Sequence, residues 1–232
     1  MSQYTLDQFI TATAQQDAEA DPFELENPHL LEVNLNGRVW SKVGAMIAYT
    51  GDVTFTREGI LEHGLGTMLK RAVSGEGTAL MKMDGKGRVY LAERGKKIQI
   101  LHLRNETIYV NGNDLLALED SIAYDITMMR RMAGMLAGGL FNVKLSGSGL
   151  VAITAHYEPM TLQVRPGQPV FTDPNATVAW AGSLTPEIIT QITLRTLIGR
   201  GSGEAIQFKF SGEGWVVLQP YEEVYFQSNG SA

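Results

Sequence analysis

No cysteine occurs in the 232 residues, which excludes a disulfide framework, thiolate metal ligands and a thiol nucleophile. Histidine is nearly as scarce. His29, His63, His102 and His156 stand at least 34 positions apart, so no HxH or HExxH ligand pair exists and no metal site is expected. Basic charge is also short: 19 Lys plus Arg against 25 Asp plus Glu give a formal net charge of −6. Duplex binding draws its affinity from Lys and Arg displacing phosphate counterions, so no nucleic-acid partner is expected. The paired bases Lys70-Arg71, Lys96-Lys97 and Arg130-Arg131 read as solvated faces. Long apolar runs are missing too. Met132 to Phe141 spans ten residues, many of them Gly or Ala, against the ~20 a membrane-spanning helix needs. The first residues carry Asp7, Asp17, Glu19 and Asp21 and show neither a basic nor a long apolar leader region. A soluble, cytoplasmic protein without a membrane span is the expectation.

Catalytic signatures are absent as well. Neither GxGxxG nor GxxxxGK[ST] occurs. Ser148 and Ser202 lie in Gly-Ser-Gly triplets without the five-residue nucleophile elbow, and read as turn serines. Glu119-Asp120 and Glu222-Glu223 are adjacent in sequence, which on a strand sends them to opposite faces, into solvent rather than into one site. Asp173, before Pro174, reads as a turn stabiliser. No catalytic residue, cofactor site or enzyme activity is expected.

What is present is a pattern that returns along the chain. MKMDGKGRVYL, VKLSGSGLVAI and FKFSGEGWVVL share one template: apolar, Lys, apolar, then Asp or Ser, then Gly-x-Gly, with Val two positions past the second glycine. Lys82, Lys144 and Lys209 hold the same place, each between two apolar residues, so each flank alternates with period two as a half-buried strand does. Asp84-Gly85, Ser146-Gly147 and Ser211-Gly212 read as tight hairpin turns. The second glycines, Gly87, Gly149 and Gly214, read as bulges or places where another backbone comes close. A weaker copy, VNLNGRVW, has Asn36-Gly37 as its turn, and successive turn glycines lie 48, 62 and 65 residues apart. VTFT, TIYV and PVFT follow the first three copies as second strands, with short strands at Ile98-Gln99-Ile100 and Leu162-Gln163-Val164.

Between these strands, residues 65–73, 127–136 and 186–198 place apolar side chains three and four apart and end in glycine, which predicts short helices. Thr185 and Pro186 suit a helix cap and first turn. The stretch from Thr5 to Ala20 suits a further short helix, with Tyr4, Phe9 and Ile10 as docking residues. MMRRMAGMLAGGLF reads either as a helix capping the barrel or as an adaptable partner or membrane-surface patch. Trp40, Trp180 and Trp215 fall in strand contexts, as core or subunit-interface residues.

The phrases FELENPHLLEVNLNGRVWSKVGAMIAYTGDVTF, GGLFNVKLSGSGLVAIT, FTDPNATVAW and SGEAIQFKFSGEGWVVLQP together resemble the altered inheritance of mitochondria, protein twenty-four, family, over roughly Phe23 to Glu222. The resemblance implies an all-β fold, a double-stranded β-helix related to the tryptophan RNA-binding attenuation protein. It brings no catalytic residue set, and fold transfers here where function does not. Relatives of that fold raise the idea that strands bind a small aromatic ligand or RNA, but basic residues interleaved with exposed aromatics are not seen.

The expectation is therefore an all-β, double-stranded β-helix or barrel of three repeated β units with short helices between them. Residues 1–22 form an N-terminal arm or short helix, 23–223 a single β-helix domain, and 224–232 a tail. Gly37, Gly85, Gly87, Gly147, Gly149, Gly212 and Gly214 are its structural turn glycines. The function expected is that of a non-enzymatic structural or protein-interaction protein that forms a homo-oligomer, with a further protein partner left open. The alternative is a small-ligand-binding module that uses the barrel mouth.

Overall fold

A computed structural model of the chain describes residues 3–16, 21–57, 80–128, 141–190 and 206–221. Among them stand one short helix, α1 (Leu6–Ala12), and fourteen strands. The first four are β1 (Phe23–Asn27), β2 (Leu30–Lys42), β3 (Met46–Arg57) and β4 (Leu80–Leu91). β5 (Lys97–Asn111), β6 (Leu115–Glu119), β7 (Ile122–Met128) and β8 (Phe141–Ala155) follow. The last six are β9 (Met160–Val164), β10 (Val170–Thr172), β11 (Thr177–Ala181), β12 (Glu187–Thr190), β13 (Ile206–Phe210) and β14 (Gly214–Leu218). The fold is nearly all β, and every pairing is antiparallel.

One large sheet runs β3-β4-β2-β6-β8-β5-β11-β14-β9, with β1 added to β2 and β7 to β8; a second sheet runs β10-β13-β12. The period-two alternation explains the strands, because each sends one row of apolar side chains inward. Val39, Met83, Val89 and Leu91 on β2 and β4 enter one core cluster. Val110, Leu118, Val143, Leu145 and Val151 enter a second, and Trp180, Phe208, Phe210 and Val216 a third. The segments VTFT, TIYV and PVFT fall within β3, β5 and around β10.

The glycine pairs do not close hairpins. Gly37 lies inside β2, Gly85 and Gly87 inside β4, and Gly147 and Gly149 inside β8; Gly212 alone stands in a break, between β13 and β14, with Gly214 beginning β14. β4 is paired across its glycines on both edges, with β2 on one side and β3 on the other, so the chain cannot reverse there. The positive φ that suits a turn instead bends a continuing strand. Gly37 (φ 123°) lies opposite Gly85 (φ 130°), and Gly51 (φ 91°) lies opposite Gly87, two residues further along β4. β5 and β8 bend likewise, where Asn105 (φ 62°) bulges beside Gly147 (φ 124°).

The helix expected over 186–198 begins instead as strand β12, whose Ile188 and Ile189 sit opposite Phe208 and Gln207. β-branched residues suit that pleated edge. Thr127 and Met128 likewise belong to β7. The rest of those two expected helices, all of 65–73, and the methionine-rich segment between Met128 and Phe141 lie outside the described residues.

The N-terminal helix forms with Thr5 as its cap: Thr5 Oγ1 accepts from Gln8 N at 3.3 Å, and Gln8 Oε1 accepts from Thr5 N at 2.9 Å. Tyr4, Phe9 and Ile10 do not dock, at 57%, 52% and 56% exposure. Polar contacts attach the segment that follows the helix. Gln15 Nε2 donates to Glu32 Oε2 and Gln16 N to Glu26 Oε2, both at 2.9 Å.

Candidate functional site

A cleft of about 670 Å³ opens between β5 and the β9, β11 and β14 strands. Its cause is local. β5 pairs with β11 only over Ile108, Tyr109 and Val110. The ladder ends where Gly182 N donates to Thr107 O at 2.9 Å. A Cβ on Gly182 would lie 2.6 Å from that same carbonyl, so only glycine permits the approach. Beyond Thr107, towards its N-terminal end, β5 pairs with β8 alone, and the face between it and β14 is left open.

The junction of β2 with β6 shows why this space stays unfilled. There Leu31, Val33 and Leu35 sit opposite Leu91, Val89 and Gly87, and all three are buried in the core with Ile98, Leu116 and Ala152. Gln99, Leu101 and Leu103 occupy the corresponding register in β5, opposite Ile153, Val151 and Gly149. Gln99 thus stands where Leu31 fills the core, and Gln99 and Leu101 are only half-buried.

The cleft has an apolar floor that includes Leu101, Ala179, Trp215 and Val217, and a polar rim that includes Gln99, His102, Glu106 and Ser183. Glu106 is already oriented, since its Oε2 accepts from Arg104 N at 3.0 Å. Such a surface can take the flat or aliphatic body of a small molecule while amide, imidazole and carboxylate groups set its orientation. No two lining groups form a nucleophile and base pair in the described contacts. Among the described residues no cluster of three or more His, Asp or Glu is placed to hold a metal ion.

The structure distributes the other singled-out residues differently. Ser148 Oγ accepts from Asn105 N at 2.8 Å at the bend of β5. Asp173 Oδ1 accepts from Asn175 N at 2.6 Å within its own turn. Glu119 and Asp120 are not simply solvated: Glu119 Oε2 accepts from Leu150 N at 2.6 Å, and Asp120 Oδ1 from Trp40 Nε1 at 2.9 Å. Lys96, expected on a wet face, is buried at 4% exposure and donates to Asp114 Oδ1 at 2.8 Å, with Asp114 at 1%. Trp40 and Trp180 are core residues, whereas Trp215 faces the cleft. Gln99, Thr161 and Ser183 were missed; the only sequence signal for them is Gln99 as the polar centre of Ile98-Gln99-Ile100.

A second cluster gathers under the N-terminal segment. Glu32 is fully buried, and its Oε1 lies 3.6 Å from Arg88 Nε. Burial chiefly, and then the neighbouring Glu26, hold the Glu32 carboxyl above its ordinary range, while Tyr90 and Arg88 pull it down. The Tyr90 hydroxyl is itself pushed up to about 12, by burial and then by its hydrogen bond to Glu32.

Comparison with known proteins follows the fold. The sequence model of a family described as "Mitochondrial biogenesis AIM24" matches residues 23–221. The crystal structure of a Streptococcus pyogenes protein is similar, with a TM-score of 0.68 and 24% identity, covering 86% of this chain and 92% of that one. At that identity the likeness speaks for the fold alone. Among curated proteins no match is found.

Proposed function

The chain belongs to the AIM24 family, and from that premise we propose that it is a non-enzymatic structural or protein-interaction protein that self-associates. Its architecture in this reading is a β-helix-like barrel of three copies of one unit. The family's description, mitochondrial biogenesis, names a cellular process rather than a reaction, which accords with a structural role. The observation that carries the reading is β3. This strand of twelve residues ends the large sheet with one edge paired to β4 and no described strand on the other, and it exposes Ile47 at 60% and Tyr49 at 48%. An unpaired strand edge that carries exposed apolar side chains is a template for pairing with another chain. Multi-angle light scattering on the full chain is expected to give a mass that is a multiple of 25.4 kDa at micromolar concentration. A single 25.4 kDa species at every concentration would overturn the reading.

The cleft supports a second reading, a small-ligand-binding module, in which the cleft is the barrel mouth. Native mass spectrometry of protein purified gently from its own cells tests it, since a retained metabolite appears as added mass.

A further inference from the structure

Resting on the reading of the cleft as a binding site, we propose that its occupant is a short extended peptide of a partner protein. The peptide adds to β5 as an antiparallel strand, with an aromatic side chain opposite Leu101 and a polar one opposite Gln99.

The chain already contains this arrangement once. β4 takes one edge of β2; on the other, β1 places Phe23 opposite Val33 and Leu25 opposite Leu31, and β6 takes over at Val39. β5 is built alike, with β8 on one edge and β11 on the other from Ile108 onward. Among the described residues, no strand lies on β5 in the place that β1 takes on β2.

The register identifies what β1 would meet there. Leu31 and Val33 correspond to Gln99 and Leu101. Ala117 and Ala152, which adjoin the pair Leu118 and Val151, correspond to Ala179 and Val217, which adjoin Trp180 and Val216. Phe23 is 2% exposed and shares one core cluster with Leu31, Val33, Ala117 and Ala152. All four counterparts of those residues line the cleft. The cleft is therefore the counterpart of the Phe23 pocket, and Trp215, in the place of Leu150, gives it an aromatic wall.

The backbone of β5 is set for the same pairing. In an antiparallel ladder, alternate residues turn both N–H and C=O to the same neighbour. Ile98 N donates to Pro28 O at 2.8 Å, away from β8, so Ile100 and His102 also turn their amides to the open side. Asn34, which corresponds to His102, uses its N–H in this way, donating to Pro22 O at 2.8 Å just before β1. Pro28 at Ile98 and Gly182 at Thr107 bound the free length, which suits a segment of a few residues. Added strands draw affinity from such main-chain bonds and specificity from pockets for alternate side chains. Gln99 in the place of Leu31 then favours a polar residue where β1 has Leu25.

The probes are capped peptides of the β1 sequence, PFELEN, and of its Leu25→Asn form, titrated into the full chain. Anisotropy of labelled peptide gives affinity, and Trp215 emission with unlabelled peptide gives the site. Binding is expected to be saturable, tighter for the asparagine form, and to change an emission that Trp215→Phe removes. Two changes to the peptide should each weaken binding at least tenfold: alanine for its phenylalanine, and a methyl group on the main-chain nitrogen of the next residue, which meets Ile100. A methyl group on the phenylalanine nitrogen, which faces away from β5, should leave affinity unchanged. In Gln99→Leu the leucine form should become the tighter binder. Equal effects of the two methylations, or binding with no Trp215 response, would overturn the proposal. So would failure of both peptides to bind at millimolar concentration. If a metabolite is then retained in native spectra, the cleft remains a binding site and only the added strand falls; with no retained mass, both readings fall.

Discussion

Glu32 shows what a single side chain contributes to pH response. It is fully buried on β2 and within reach of Gln15, Arg88, Tyr90 and Glu26. Its carboxyl is raised above the ordinary range, chiefly by burial. A raised folded-state value means that the group's contribution to stability is fully present below its unfolded value of 4.5 and is lost as pH rises through the folded value. Glu32→Gln keeps an acceptor for Gln15 and Tyr90, offers a donor towards Glu26, and removes the charge. The variant is expected to gain stability relative to the parent as pH rises from 4 to 8, read as the difference between urea midpoints at each pH. A difference that stays constant across that range would contradict the account. None of this was legible locally. In LLEV, Glu32 is one more polar residue of a strand, and its burial depends on Arg88 and Tyr90, which β4 brings alongside.

At the scale of elements, period-two alternation was enough to place most strands, while Gly37, Gly85 and Gly147 were misread as hairpin turns; Gly87, expected where another backbone comes close, stands at such a place, its Cβ position 2.0 Å from Thr50 O. Asp-Gly and Ser-Gly look the same at a turn and at a bend, and what separates them is whether both edges of the strand are paired, which depends on distant chain. Gly85 and Gly37 face each other across β2 and β4 and share a positive φ, yet their surroundings differ. A Cβ on Gly85 would lie 2.1 Å from Asp52 O, whereas one on Gly37 would meet nothing within 4 Å. Gly37→Ala should therefore cost only the conformational term, about 1–3 kcal/mol. Gly85→Ala adds a clash with paired backbone and should cost more than about 3 kcal/mol. Chemical denaturation of the two variants checks this; equal losses would mean that the backbone approach of β3 does not select glycine. The helix expected over 186–198 begins as strand for a related reason, its residues beyond 190 lying outside the described ones. Its three- and four-residue spacing was real, but Ile188 and Ile189 find strand partners in β13 that no local pattern reveals.

Over the whole molecule, three core clusters with bent strands passing between them explain where an opening can exist. The cleft lies where the second and third clusters adjoin, and Trp215 packs against both. Lys96 and Asp114, which precede β5 and β6, form a buried ion pair; its geometry matters because removing one partner would leave the other charge unpaired in the interior. Neither the cleft nor the pair was legible in the sequence, since each is assembled from segments that only the sheet brings together. Of the three tryptophans, Trp40 and Trp180 are buried and only Trp215 lines the cleft. A ligand held there should therefore change the emission of Trp215, and Trp215→Phe should remove the response. Gln99→Leu puts at this place the apolar residue that Leu31 supplies at the junction of β2 with β6; it removes the amide from the cleft's polar rim, so it is expected to weaken binding at least tenfold while leaving the fold intact. Saturating ligand, at about 100 times its dissociation constant, should raise stability by ~2.7 kcal/mol in the parent and by much less in Gln99→Leu at the same concentration. A retained mass in native spectra that persists unchanged in Gln99→Leu would place the ligand elsewhere on the molecule.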